Sequence, residues 1–169
     1  MDTVSCDTTR FGRISADASQ VIELPDGMIG FPDDTRYLLV KQRADSVFYW
    51  LQSMHSPALA FPVVLPWAFY WDYEVRISDE DLGAIDVTDV SQLSILCVAN
   101  VGSDVRKGTI NLFSPVVINV NDNRGRQVIN TADGYSTRDP LFRGVADPTP
   151  VAIHDDESPH VLVIGDRAA

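Results

Sequence analysis

Val116-Val-Ile-Asn-Val120, followed by Asp122-Asn-Arg-Gly125 and Gln127-Val-Ile-Asn130, is the clearest β-hairpin pattern in the sequence. Two short runs rich in β-branched residues flank a segment of turn-forming residues, which is the pattern of a β-hairpin. We expect Gly125 to supply the positive φ angle that such a turn needs. Because an isolated hairpin is marginally stable in water, this stretch predicts that other strands pair with it.

The rest of the chain supplies candidates for those strands. Leu93-Ser-Ile-Leu-Cys-Val-Ala-Asn-Val101 is apolar on both faces in its middle and is expected to be the most buried strand. Glu74-Val-Arg-Ile77 alternates as a half-buried strand does. Pro62 predicts that its strand lies at an edge or a bulge. The other predicted strands are residues 21–24, 37–40, 47–52, 61–65 and 109–112.

Helix is scarce in this pattern. Ser78-Asp-Glu-Asp81 predicts one short helix, with Ser78 as N-cap, Asp81 completing a capping box and Gly83 near its end. About eight to ten short strands without the spacing of βαβ units favour antiparallel pairing. We therefore predict a mainly β protein, a small antiparallel β-barrel-like domain with one or two short helices.

The chain divides by composition near Phe142. Residues 1–142 carry the strand pattern and are predicted to form the β-barrel-like domain. Residues 143–169 are a Pro- and Asp-rich C-terminal extension that we expect to be mobile, because it has little apolar surface to bury. Its one apolar hexad, His160-Val-Leu-Val-Ile-Gly165, either stays free or docks as an extra strand.

Charge and composition exclude several classes of function. A net charge of −11 over 169 residues argues against a nucleic-acid or an anionic membrane partner, since both are bound through Lys and Arg. The first residues carry no secretory signal, and no apolar run approaches a membrane span. Two cysteines, Cys6 and Cys97, fit a reducing compartment, with Cys97 a core hydrophobe. We expect a cytoplasmic protein.

No catalytic or cofactor motif is present in the sequence. The three histidines are scattered, no C-x-x-C or zinc spacing occurs, and both glycine-rich phosphate loops are absent. We therefore expect no cofactor, no metal and no enzymatic activity. One catalytic alternative stays open, in which Asp72 and Glu74 act as a glycosidase-type carboxylate pair.

The most suggestive functional feature is an aromatic block that runs into an acidic one. Nine of the fifteen aromatic residues lie between Phe48 and Tyr73, and eight acids against one base, Arg76, lie between Asp72 and Asp104. Amphipathic rings are enriched at protein interfaces, and a field of one sign selects partners of the opposite sign. The alternative is that the rings are core and the acids a solvated face. The juxtaposition favours a binder of a basic protein.

Several segments of the chain resemble the FliW family of bacterial flagellar assembly factors. Asp26-Gly-Met-Ile-Gly-Phe-Pro32 resembles the family's P-E-G-I-P-G-F turn. Other matching segments, in the family's order, are Phe48-Tyr-Trp-Leu-Gln-Ser53, Asp72-Tyr-Glu74, Ser78-Asp-Glu-Asp-Leu82, Thr109-Ile-Asn-Leu-Phe-Ser-Pro-Val-Val-Ile-Asn119 and Arg138-Asp-Pro-Leu141. The family usually ends close after the last of these, whereas this chain continues to Ala169.

The resemblance implies a small β-barrel-like cytoplasmic protein without enzymatic activity. It implies two protein partners, flagellin and CsrA, a small basic dimer that represses flagellin mRNA. When flagellin is exported, a FliW protein is freed, captures CsrA and relieves the repression. The resemblance therefore implies partner switching with no direct contact to nucleic acid and none to a membrane.

Sequence and resemblance together suggest a set of partner-binding residues. The candidate acidic face consists of Asp72, Glu74, Asp79, Glu80 and Asp81, and the candidate anchors are Tyr70, Trp71 and Tyr73. Asn119 and Gln127 are expected to face each other across the hairpin near Arg126. They could hydrogen-bond flagellin, or they could complete a polar ladder within the sheet.

Two further functions stay open at this point. The chain could be a non-catalytic scaffold with another client. It could also be a carbohydrate-binding barrel that uses its tryptophans.

Overall fold

The computed structural model describes residues 2–143 and 160–162. These residues form twelve strands and one α-helix, α1 (Asp79–Ala84). The strands are β1 (Thr3–Thr8), β2 (Gly12–Asp17), β3 (Ile22–Glu23), β4 (Arg36–Lys41), β5 (Tyr49–Ser53), β6 (Ala60–Val64), β7 (Leu93–Asn100), β8 (Thr109–Ile110), β9 (Val116–Asn119), β10 (Arg124–Gln127), β11 (Asp139–Pro140) and β12 (His160–Leu162). The predicted mainly β fold with a short helix is confirmed.

The main sheet closes on itself. Its neighbours run β7-β6-β5-β4-β3-β10-β9, and β9 pairs in turn with β7. All of these pairings are antiparallel except β3 with β10, which meet in parallel at Glu23 and Arg124. The short strands β8 and β11 extend the sheet beyond β7, and β1 with β2 forms a separate hairpin. A closed ladder of this kind leaves few unpaired edges on its strands.

The predicted hairpin exists as β9 and β10, but its turn differs from the expectation. The positive φ angle belongs to Asn123, at 55°, because asparagine tolerates the left-handed region. The role predicted for Gly125 is wrong, since Gly125 lies within β10. A Cβ atom there would approach Val117 O to 2.7 Å and Leu24 Cδ2 to 2.9 Å. Glycine is needed at this position for close packing.

Three other strand predictions differ from the structure. The most buried strand is β9, where all four residues are buried, whereas β7 is only partly buried. Residues 74–77 form no strand, although their side chains keep the predicted alternation in burial. Pro62 lies within an interior strand, β6, but the ladder between β6 and β7 begins only at Val63. The local unpaired edge is what accommodates the proline.

The apolar side chains gather in four clusters around the closed sheet. The first lies inside it and includes Ile22, Tyr37 and Leu51. The second lies beneath the aromatic block, and the fourth beneath α1. The third holds the β1–β2 hairpin against β4 and includes Cys6. This hairpin was not predicted from the sequence, because its strands bury few side chains and are otherwise polar.

The two cysteines and the C-terminal extension complete the comparison with the sequence. Both Cys6 and Cys97 are buried free thiols, and burial raises the pKa of Cys97 to about 12, so its role as a core hydrophobe is confirmed. Within the extension, His160–Leu162 pairs antiparallel with β4. The predicted mobility of the extension otherwise falls outside the described residues, and the boundary at residue 142 stays a prediction. Among the described residues, no helix has the length and apolar character to cross a membrane.

Gly125→Ala should destabilise the protein, because the new methyl group would overlap the carbonyl of Val117 across the hairpin. Overpacking of this kind lowers the free energy of unfolding by about 1–3 kcal/mol. The control is Gly83→Ala in α1, where a Cβ atom meets nothing within 4 Å and should stabilise slightly. Urea unfolding of the two variants measures both effects. Equal stabilities would contradict the assigned packing role.

Candidate functional site

The candidate site is the segment between the aromatic block and α1. We define the acidic strip as Trp71, Asp72, Glu74, Asp79, Glu80 and Asp81, whose side chains are exposed except for the half-buried Asp81. The strip follows a short 3-10 helix, Pro66–Ala68, and continues through an extended stretch into α1. The strip thus consists of an extended part and a helical part, and different contacts hold each of them.

The three predicted aromatic anchors have different environments. Tyr70 and Tyr73 are buried, and their hydroxyls donate to Pro140 O at 2.5 Å and Leu112 O at 2.7 Å. Burial raises the pKa of both phenols. Trp71, in contrast, is 82% exposed. Tyr70 and Tyr73 therefore belong to the core, which corrects their assignment as anchors, and Trp71 alone projects from the strip.

Side chains, and not a strand ladder, hold the extended part of the strip. Asn130 is buried, and its Nδ2 donates to Glu74 O at 2.9 Å while its Oδ1 accepts from Arg76 N at 2.9 Å. The Thr131 N–H donates to Arg76 O at 3.0 Å, and the Tyr135 hydroxyl accepts from Glu74 N at 2.9 Å. These contacts give the backbone the hydrogen bonds that a strand would have given it.

The helical part of the strip is capped as predicted, with one difference. Ser78 Oγ accepts from Asp81 N at 3.1 Å, which confirms Ser78 as the N-cap. The Asp81 side chain accepts from the Ser78 hydroxyl at 2.9 Å, so the predicted reciprocal bond to the Ser78 backbone is replaced. Asp79, Glu80 and Asp81 occupy the first helical turn, where negative charge is favourable. Part of the acidity of the strip thus stabilises α1.

Arginines from elsewhere neutralise both ends of the strip. Arg143 pairs with Asp72 at 2.6 Å, lowers the pKa of that carboxyl group, and lies over the Tyr70 ring. Arg126 pairs with Asp81 at 3.2 Å and with Asp26 at 3.3 Å. The remaining acids of the strip, which are Glu74, Asp79 and Glu80, have no ion pair within the described part of the chain.

The acidic field is therefore narrower than the sequence suggests. Of the eight acids between residues 72 and 104, Asp86 pairs with Arg124 and Asp104 with Arg106, in addition to the two pairs at the ends of the strip. All four of these arginines lie outside residues 72–104. Net charge counted along the sequence cannot include them, and the uncompensated charge concentrates on the middle of the strip.

The predicted amide pair across the hairpin is not formed. Asn119 lies opposite Arg124, and Gln127 lies opposite Val116, so the expectation that the two amides face each other is wrong. Asn119 is buried and donates to Ile85 O at 2.9 Å. Gln127 accepts from Ile29 N at 2.8 Å and donates to Ser114 O at 3.1 Å. Both amides satisfy backbone groups of the protein itself.

The sequence did not predict which residues position the strip. Asn130 is a polar residue directly after two apolar ones in the predicted strand 127–130, which was the available signal of a buried hydrogen-bonding role. Arg143 gave no such signal, because its partner Asp72 is distant along the chain. Gln52 is another buried amide that bonds backbone groups, since its Nε2 donates to Ser53 O, Pro57 O and Leu59 O.

Comparison with known proteins identifies one family. A family model described as "FliW protein" matches residues 5–141. A flagellar assembly factor FliW of Ruminiclostridium cellulolyticum is 38% identical over 132 residues, which cover 78% of this chain and 89% of that protein. A flagellar assembly factor FliW of Symbiobacterium thermophilum is 40% identical over 125 residues, or 73% of this chain and 91% of that one.

A solved structure agrees with these sequence matches. The crystal structure of a flagellar assembly factor FliW superposes with a TM-score of 0.75 at 28% sequence identity. The match covers 82% of this chain and 97% of that structure. The family relationship therefore extends to the fold of nearly the whole homologous domain.

Asn130→Ala should loosen the strip, because it leaves the Arg76 N–H, the Ala132 N–H and the Glu74 carbonyl without their partner. Buried groups left unsatisfied cost roughly 1–3 kcal/mol each when water cannot reach them, and we expect a loss of about 3 kcal/mol in the free energy of unfolding. Asn121→Ala, at an exposed site of the same residue type, is the control and should change stability by less than about 0.5 kcal/mol. Chemical denaturation of both variants decides the point, and a small effect for Asn130→Ala would contradict its role.

Proposed function

The chain belongs to the FliW family of flagellar assembly factors, and from that membership we propose that it binds flagellin and a CsrA-type RNA-binding regulator. In this proposal flagellin and the regulator alternate as partners. Export of flagellin frees the protein, which then captures the regulator and relieves repression of flagellin mRNA. The protein acts in the cytoplasm by binding alone, without catalysis and without contact to RNA.

The observation that carries the proposal is the middle of the acidic strip. Glu74, Asp79 and Glu80 are exposed and lack ion pairs within the described residues, and Trp71 projects beside them. A regulator that reads RNA with arginines presents a complementary positive surface. An exposed tryptophan next to uncompensated acids suits such a partner, since large rings supply affinity and charge supplies orientation.

We expect the acids of the strip to affect the association rate constant and the Trp71 ring to affect the dissociation rate constant. Exposed charges raise the association rate over a range of about 8–10 Å at physiological salt and are screened when salt is added. A ring that becomes buried in the complex mainly slows dissociation. Asn119 and Gln127 are not part of the proposed contact surface, because both are used inside the protein. The alternative of a glycosidase-type carboxylate pair gains no support, because Arg143 forms an ion pair with Asp72.

Glu74→Lys combined with Glu80→Lys should slow association with a CsrA-type regulator about tenfold or more at low salt, because two uncompensated charges change sign. The difference should shrink as salt is raised, since the charges are exposed. Stopped-flow association at two salt concentrations measures it.

The matched control is Asp2→Lys combined with Asp33→Lys, which changes the net charge by the same amount at exposed sites outside the strip. If both double variants slow association equally, the effect belongs to net charge and not to the strip. Unchanged rates for the strip variant would remove the strip from the proposal, while family membership would still stand.

Trp71→Ala should speed dissociation of the regulator and weaken binding by about 2 kcal/mol, because the exposed ring is the candidate anchor. The free energy of unfolding should stay within about 0.5 kcal/mol of the original, as expected for an exposed side chain. Val90→Ala, which truncates another exposed apolar residue, is the control. Surface plasmon resonance gives the dissociation rates, and equal rates for the two variants would contradict the anchor role.

A further inference from the structure

Strand β4 has one edge that is shared by two short partners. On that edge β3 pairs only with the beginning of β4, through Glu23 with Arg36 and Ile22 with Tyr37. The same edge continues from Leu39 to Lys41, where β12 pairs with it in antiparallel register. Strand β5 occupies the opposite edge of β4. Without β12, the second half of β4 would present an unpaired edge.

The side chains of Val161 and Leu162 in β12 pack against different apolar clusters. Val161 packs against the third cluster, which lies under the β1–β2 hairpin and includes Cys6, Ile14 and Val40. Leu162 packs against the first cluster, inside the closed sheet. Gln20 adds a hydrogen bond from its Nε2 to Val161 O at 3.2 Å. The edge of β4 therefore offers an apolar contact on each face and a polar contact beyond the strand.

The alternation of backbone groups shows which residues of β12 can bond β4. In an antiparallel pair, the N–H and C=O groups of one residue point to the same side, and successive residues alternate. Arg36 O accepts from Met54 N on the side of β5, so Leu39 and Lys41 point toward β12. Val161 O accepts from Gln20, which places the backbone groups of Val161 away from β4. The N–H group of Leu162 is therefore the one directed at Leu39.

This strand lies outside the part of the chain that the family shares. The family model ends at residue 141, and β12 begins at His160. The 16 residues between Arg143 and His160 can span at most about 55 Å. The edge of β4 therefore lies within the part of the chain that matches the family model, whereas the strand that covers this edge comes from the C-terminal extension.

We propose that the Leu39–Lys41 edge of β4 is a strand-docking site and that β12 is its tethered, displaceable occupant. The site takes an extended segment with a Val-Leu core, by addition of a strand to the sheet. Because β12 is part of the same chain, its effective concentration is in the millimolar range, and a separate segment of the same sequence competes poorly with it. Weakening β12 opens the site.

The test uses the full chain and a labelled peptide with the sequence His160-Val-Leu-Val-Ile-Gly165. Leu162→Pro removes the N–H group directed at β4 and should release β12, so the variant should bind the peptide at least tenfold more tightly than the original chain does. Val90→Pro, at an exposed site outside the sheet, is the control and should bind like the original. Fluorescence polarisation gives the affinities, and cooperative thermal unfolding shows that each variant is folded.

Two methylated peptides separate strand addition from adhesion of an apolar peptide. N-methylation at the Leu162 position removes the hydrogen bond to β4 and should abolish binding to the Leu162→Pro chain. N-methylation at the Val161 position leaves that bond intact and should preserve binding. Equal binding of the two peptides, or equal affinity of the plain peptide for the original and the folded Leu162→Pro chain, would overturn the proposal. If the Leu162→Pro chain does not unfold cooperatively, Leu162→Asp provides the same measurement.

Discussion

The structure depends on the double pairing of β9. This strand pairs with residues Leu93–Leu96 of β7 on one edge and with β10 on the other. These two pairings close the main sheet. Full burial of β9 follows, since strands cover its edges and side-chain clusters cover its faces. The close approach of β10 to β9 requires the absence of a side chain at residue 125. The fourth cluster also packs on β9 through Val117, and α1 lies over it.

The acidic strip depends on this framework through Asn130. The segment that carries Glu74 and Arg76 has no strand partner, and its backbone is held by the buried amide beyond the hairpin together with Thr131 and Tyr135. A segment fixed in this way holds exposed side chains without placing their backbone inside the sheet. Trp71 and several acids of the strip are thus exposed in a defined arrangement, because the neighbouring Tyr70 and Tyr73 are buried in the core. Prior order of this kind reduces the entropy lost on binding.

Local pattern was enough to predict the class of fold, the hairpin, the helix cap at Ser78 and the burial of Cys97. The pairing register of the two hairpin strands was harder to predict. The alternation of side chains shows which face of the sheet each residue lies on, but the geometry of the turn sets which residues of the two strands lie opposite each other. In the structure the residue with the positive φ angle is Asn123 and not the predicted Gly125. Asn119 therefore lies opposite Arg124, and the predicted pairing of Asn119 with Gln127 does not occur.

The site was predicted in part for a similar reason. Composition located the aromatic and acidic blocks correctly along the chain, but it could not separate the buried Tyr70 and Tyr73 from the exposed Trp71. It also could not show that Arg126 and Arg143 neutralise the ends of the strip, since ion pairs between distant residues exist only after folding. The family resemblance was confirmed because it rested on many motifs in one order and on no single residue.

Hydrogen exchange of the complex with a CsrA-type regulator tests whether residues 71–81 form the proposed contact. On binding, backbone amides of residues 71–81 should exchange more slowly, while those of the β1–β2 hairpin should keep their rates. Protection of residues 71–81 at saturating regulator would agree with the account. Protection confined to other surfaces, with exchange at residues 71–81 unchanged, would contradict it.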